Sequence, residues 1–162
     1  MGAYFNKKKT ADSLCKQLDA DMQKALAKGK TYSDTPKVVI IHYGRASNVY
    51  LTVTKNSVAG KMVQWAGGKI PIGGEGRMQR MTSPEVLAKA NPDVILMTGV
   101  AYDKLGSMEK IKDLPGVGST NAARNDRIYR IRNADMIYLG PRTGQNVLEF
   151  EKLIHGEGDG ST

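Results

Sequence analysis

Apolar residues recur three and four apart at Ala11, Leu14, Leu18, Met22, Ala25 and Leu26, and that spacing predicts an amphipathic helix over residues 10–28. Thr10 is placed to cap it, Asp12 to meet its positive start, and Lys24 and Lys28 to meet its negative end. Gly29 stops it. After a polar stretch, the run Val38-Val39-Ile40-Ile41 reads as a strand buried on both faces, ending at His42-Tyr43-Gly44-Arg45, where the chain turns. Residues 50–54 predict a brief extended segment. Asn56-Ser57 then caps a helix carrying Val58, Met62, Val63 and Trp65, which Gly67-Gly68 ends. Residues 69–82 are glycine-rich and patternless. Ser83-Pro84 starts a short helix, since serine can accept from first-turn amides and proline loses no needed donor there. A second buried strand follows over residues 93–98, a helix over 102–114, a third strand over 127–131 and a closing helix over 141–155.

Short buried strands alternating with helices predict an α/β fold, an open and mainly parallel sheet with helices on both faces. Residues 1–36 are expected to form a long helix and its connection, residues 37–155 the α/β lobe, and residues 156–162 a disordered tail. Ligands of such sheets bind outside the carboxyl ends of the strands. Three loops therefore matter: residues 42–49, 99–103 and 133–142.

Composition narrows this picture. At 162 residues and 40% hydrophobic the chain can hold a core without disulfides or metals, and the single Cys15 can close no internal disulfide. No apolar run approaches a membrane span of roughly 18 residues, and residues 1–9 have no hydrophobic core of a secretory kind. The net charge of +8 asks for an anionic partner: nucleic acid, a small molecule or an acidic protein surface. Only Lys7-Lys8-Lys9 form a dense cluster, and Arg45, Arg77, Arg80, Arg124 and Arg142 read as loop residues. Scattered loop charge suits an anionic small ligand better than a duplex, so no nucleic-acid partner is expected.

Catalytic signatures are absent: there is no nucleophile elbow, phosphate loop or dinucleotide fingerprint, and Gly73-Gly74-Glu75-Gly76 neither follows a strand nor opens a helix. The expectation is a protein that is not an enzyme. His42 and Tyr43, at the end of the first strand, are both competent to ligate haem iron or another transition metal. Adjacent strand residues point to opposite faces, so at most one of them is expected to do so. Gly140-Pro141-Arg142 sets an arginine in the first turn of the last helix, suited to a carboxylate or simply solvated. Tyr102 and Tyr138 could stack on a flat ligand or cover the sheet edge, and Glu85 suits the positive start of its helix.

Taken with the first helix, His42-Tyr43-Gly44, Ala66-Gly67-Gly68, Ser83-Pro84-Glu85, Ala90-Asn91-Pro92-Asp93, Leu114-Pro115-Gly116 and Gly140-Pro141-Arg142-Thr143 resemble the substrate-binding proteins of ABC importers for haem. These belong with cobalamin- and siderophore-binding proteins whose two lobes are joined by one rigid helix. The resemblance covers residues 2–155 and takes in only the linking helix and the carboxy-terminal lobe; the amino-terminal lobe and export signal of such proteins have no counterpart here.

The resemblance implies haem as transported ligand in an inter-lobe cleft, with His42 or Tyr43 toward the iron, and Arg142 and, more weakly, Arg45 toward propionates. Glu85 resembles the glutamate that docks on an arginine of the membrane permease. A periplasmic or extracytoplasmic location is implied, with a lipid anchor in a full-length parent. A siderophore or cobalamin as cargo, or a basic α/β interaction module, are the alternatives. Self-association of the chain through the surface a missing lobe would cover is also expected.

Overall fold

The computed structural model describes residues 8–81, 83–137 and 139–156. In chain order the elements are α1 (Lys8–Gly29), β1 (Val38–Gly44), β2 (Val49–Val53), α2 (Val58–Trp65), β3 (Met78–Arg80), α3 (Pro84–Ala90), β4 (Val94–Thr98), α4 (Gly99–Leu105), α5 (Met108–Lys112), α6 (Asn121–Arg124), β5 (Ile128–Ile131), α7 (Asn133–Ile137) and α8 (Thr143–His155). The strands form one sheet in the order β3-β2-β1-β4-β5. β4 runs parallel to both β1 and β5, while β2 is antiparallel to β1 and β3. Only β2 therefore opposes the common direction, and the mainly parallel α/β expectation holds.

The core sits where the sequence is continuously apolar. Val38 to Ile41 of β1 and Val94 to Met97 of β4 are all fully buried, because helices cover both faces of these central strands. α4 and α6 pack on this centre, and α2 packs with α7 and α8. The amphipathic α8 buries Val147, Phe150 and Ile154.

Several local expectations change. Residues 69–82 hold β3, a three-residue edge strand too short to show alternation. The helix expected over 102–114 is two: α4 begins earlier, at Gly99, and Gly106 ends it in a left-handed conformation (φ 72°) that an L side chain resists. Ser107 then caps α5 by accepting from the Lys110 amide at 3.3 Å. α6 and α7, at four and five residues, have no periodicity to read. Lys8 and Lys9 are already helical, so Thr10 lies inside α1 and does not cap it. Ser57 and Ser83 cap α2 and α3 as expected, accepting from the Gly60 and Glu85 amides.

The carboxyl half of α1 rests on α8. Gly144 makes this possible, since a Cβ there would lie 2.5 Å from the Cβ of Asp21. Gln145 donates to Asp21 Oδ2 at 3.2 Å across the same contact. Toward its amino end α1 leaves the lobe, and Leu14 is 47% exposed.

Asn91-Pro92-Asp93 is a fastening point. Asn91 takes a left-handed conformation (φ 38°), and its Oδ1 accepts from the Asn121 amide at 2.9 Å. Asp93 accepts from Asn121 Nδ2 at 3.1 Å and from the Lys37 amide at 2.9 Å, joining α6, the entry to β4 and the entry to β1.

Candidate functional site

β1 carries His42 and Tyr43 at its carboxyl end, and the pleat sends them to opposite faces. Tyr43 is 7% exposed and faces α4; its hydroxyl donates to Asn48 Oδ1, with Asn48 in the left-handed turn (φ 51°) between β1 and β2. The Tyr50 ring lies 5.2 Å from the Tyr43 ring, tilted by 55°. The Lys104 ammonium stands 4.6 Å from the centre of the Tyr43 ring, a cation–π contact.

His42 is half-buried on the other face, its Nδ1 3.1 Å from Thr98 Oγ1 at the end of β4. Burial lowers its pKa below the usual 6.5, so the ring is neutral near pH 7. With Nδ1 engaged by Thr98, Nε2 is the nitrogen left for a ligand, an orientation that a partner on the second ring nitrogen commonly sets.

On the Tyr43 side an open cavity of about 610 Å³ lies across the carboxyl ends of β1, β4 and β5. Tyr43, Arg45, Gly99, Val100, Asp103, Lys104, Arg130, Arg132 and Asn133 line it. Four cations thus face one carboxylate. Arg130 and Asp103 form a two-pronged pair, Nε to Oδ1 at 2.9 Å and NH2 to Oδ2 at 2.8 Å. That pairing lowers the pKa of Asp103 and raises that of Arg130. Arg132 lies 3.6 Å from Glu149 Oε2. Arg45 and Lys104 have no acidic partner among the described residues. Asn133 Oδ1 is buried without a hydrogen-bond partner among them.

The structure therefore brings together only part of the expected set. Tyr43 and Arg45 line the cavity, and His42 is adjacent on the opposite face. Tyr102 is not in a loop: it lies within α4, half-buried, and its field bears on Arg130 without its walling the cavity. Arg142 stands at the N-cap of α8, one position before the first turn, exposed and away from the cavity lining. Tyr138 lies outside the described residues. Glu85 is exposed in the first turn of α3, where the Leu114-Pro115-Gly116 turn meets it from below: a Cβ on Gly116 (φ 79°) would lie 2.3 Å from the Pro84 carbonyl.

Asp103 and Asn133 lie in segments that the sequence singled out as strand-end loops, whereas Lys104, Arg130 and Arg132 escaped the sequence reading. Arg130 and Arg132 had a signal, being two apart at the end of a strand and so on one face. Lys104 depended on where α4 begins. Among the described residues no three metal-ligating side chains gather, and no helix is long and apolar enough to cross a membrane.

A family model described as periplasmic binding protein matches residues 1–134. The chain belongs to the periplasmic binding protein family. Solved structures agree in fold. The periplasmic haem-binding protein RhuT from Roseiflexus sp. RS-1 superposes with a TM-score of 0.86 at 23% identity, over 96% of this chain and 59% of its own. HutB of Vibrio cholerae, a periplasmic haem-binding protein, gives 0.80 at 18% identity over 95% and 60%. IsdE of S. aureus, solved with haem, gives 0.74 at 26% identity over 95% and 60%. This binding protein thus spans about three-fifths of the length of these relatives. No curated protein sequence matches it.

Proposed function

We propose that this lobe supplies one wall of a haem site in an extracytoplasmic carrier that hands its cargo to an ABC permease. The observation that carries the reading is the carboxyl end of the parallel strands. There a neutral imidazole, His42, and a basic cavity walled by Tyr43 flank the end of β1 on its two faces, where open α/β sheets bind ligands. The haem-binding relatives, similar over nearly the whole chain, support the same cargo. A carrier of this design binds and releases its cargo chemically unchanged, so the protein acts as a binding component and not an enzyme.

His42 is the better placed of the two iron candidates. Its Nε2 has no hydrogen-bond partner among the described residues, whereas the Tyr43 hydroxyl is engaged by Asn48 and its ring is covered by Lys104. Arg45 then faces a propionate from within the cavity; Arg142, outside it, reaches one only at the cleft rim. Glu85, exposed on α3, serves as the permease contact, fixing registration more than affinity. The other wall of the cleft belongs to the region of the longer relatives that this chain does not span.

Titration of the chain with ferric haem tests the reading. A Soret shift that His42→Ala abolishes and Tyr43→Phe retains is expected. No shift, or one unchanged by replacing both residues, overturns it.

A further inference from the structure

Of the four cations in the cavity, Arg130 and Arg132 already face Asp103 and Glu149. Lys104 faces no acid among the described residues; its ammonium rests on the Tyr43 ring at 4.6 Å. That ring is otherwise buried, at 7% exposure, so Lys104 covers the one aromatic face that the described residues offer the cavity. A flat ligand seated on Tyr43 has to displace the ammonium. The cation–π contact given up is weak at such an open site, and a charge-assisted hydrogen bond to a carboxylate more than replaces it. A flat ligand without an anionic edge displaces the ammonium and returns nothing.

We propose that Lys104 is a specificity-determining residue of this cavity, acting beside Arg45 and exchanging the Tyr43 ring for a carboxylate of the incoming ligand, so selecting flat carboxylates over neutral flat molecules. The inference deepens the haem reading and rests on it for the class of ligand, but not for the iron. Discrimination here comes from a difference between two bound states: the esterified ligand leaves a displaced ammonium unpaired, and the free acid does not. Asp103 contributes by keeping Arg130 occupied, so that Arg130 does not take over the role of Lys104.

The experiment uses metal-free protoporphyrin IX and its dimethyl ester, titrated into the intact chain and into Lys104→Met and Lys104→Arg, with protein fluorescence quenching as the readout. Lys104 is exposed, so both variants retain the fold, which circular dichroism checks. The expected result is at least tenfold preference for the free acid in the unmodified chain, a clear reduction of that preference in Lys104→Met to the part that Arg45 sustains, and its return in Lys104→Arg. Added salt narrows the preference more in the unmodified chain than in Lys104→Met. An equal preference in Lys104→Met, or none in the unmodified chain, overturns the proposal. Because these probes carry no iron, failure of iron ligation by His42 shows separately, as haem binding no tighter than protoporphyrin. If neither porphyrin binds, both readings fall.

Discussion

His42 couples the site to pH. Its burial disfavours the imidazolium, so the folded state binds the proton less readily than the unfolded chain, whose histidine titrates near 6.5. Stability is therefore undiminished above 6.5, falls as pH drops through the window below it, and levels off beneath the lowered folded pKa. Replacing His42 by Gln is expected to flatten this dependence in urea denaturation followed between pH 7.5 and 5. Iron ligation needs the neutral ring in the folded protein, so haem affinity should hold through most of that window and decline only as pH falls through the lowered folded pKa. Asp93 illustrates a residue whose role is fastening and not binding. It holds the Lys37 amide and the Asn121 side chain, and Asp93→Ala should cost about 2 kcal/mol by leaving those donors unmet. Urea unfolding midpoints at pH 7 check this, and haem binding by the folded fraction should be unaltered.

Among the elements, the joint between α1 and α8 is the most exacting. Gly144 lets the helices meet at Asp21, and Gly144→Ala places a methyl where no space exists. Overpacking of this kind costs about 1–3 kcal/mol, and here the strain is relieved by lifting α1 away. The expected outcome is a lower unfolding midpoint together with faster proteolysis at Lys16 and Lys24 in α1, while the core strands stay protected from hydrogen exchange. The strands themselves follow from the β-branched runs of β1 and β4, legible because burial on both faces leaves no polar positions. β3 was not legible: its three residues are extended only because β2 offers an edge at Leu51 to Val53. The division of α4 from α5 turns on one residue, Gly106, whose left-handed conformation periodicity does not register.

For the molecule as a whole, the charge of +8 resolves into a cluster of four cations around one cavity and a dispersed remainder. A concavity of about 610 Å³ at the sheet end offers no track for a duplex. Fluorescence anisotropy with labelled duplex DNA should accordingly show little binding even at low salt; a steep salt-dependent affinity would point to a phosphate-binding face instead. What the sequence determined alone was what nearest neighbours control: the central strands, the capped helices, the alternation that implies an α/β sheet, and His42 and Tyr43 on opposite faces of one strand. The tertiary structure decided what depends on separate elements meeting. Lys104 on Tyr43, Asp103 on Arg130, and Thr98 against His42 each join side chains from different elements, and the spacing along the chain carries no record of such pairs. Arg142 shows the converse, because a motif placed it at a helix start while only the packing of α8 decided that this start lies away from the cavity.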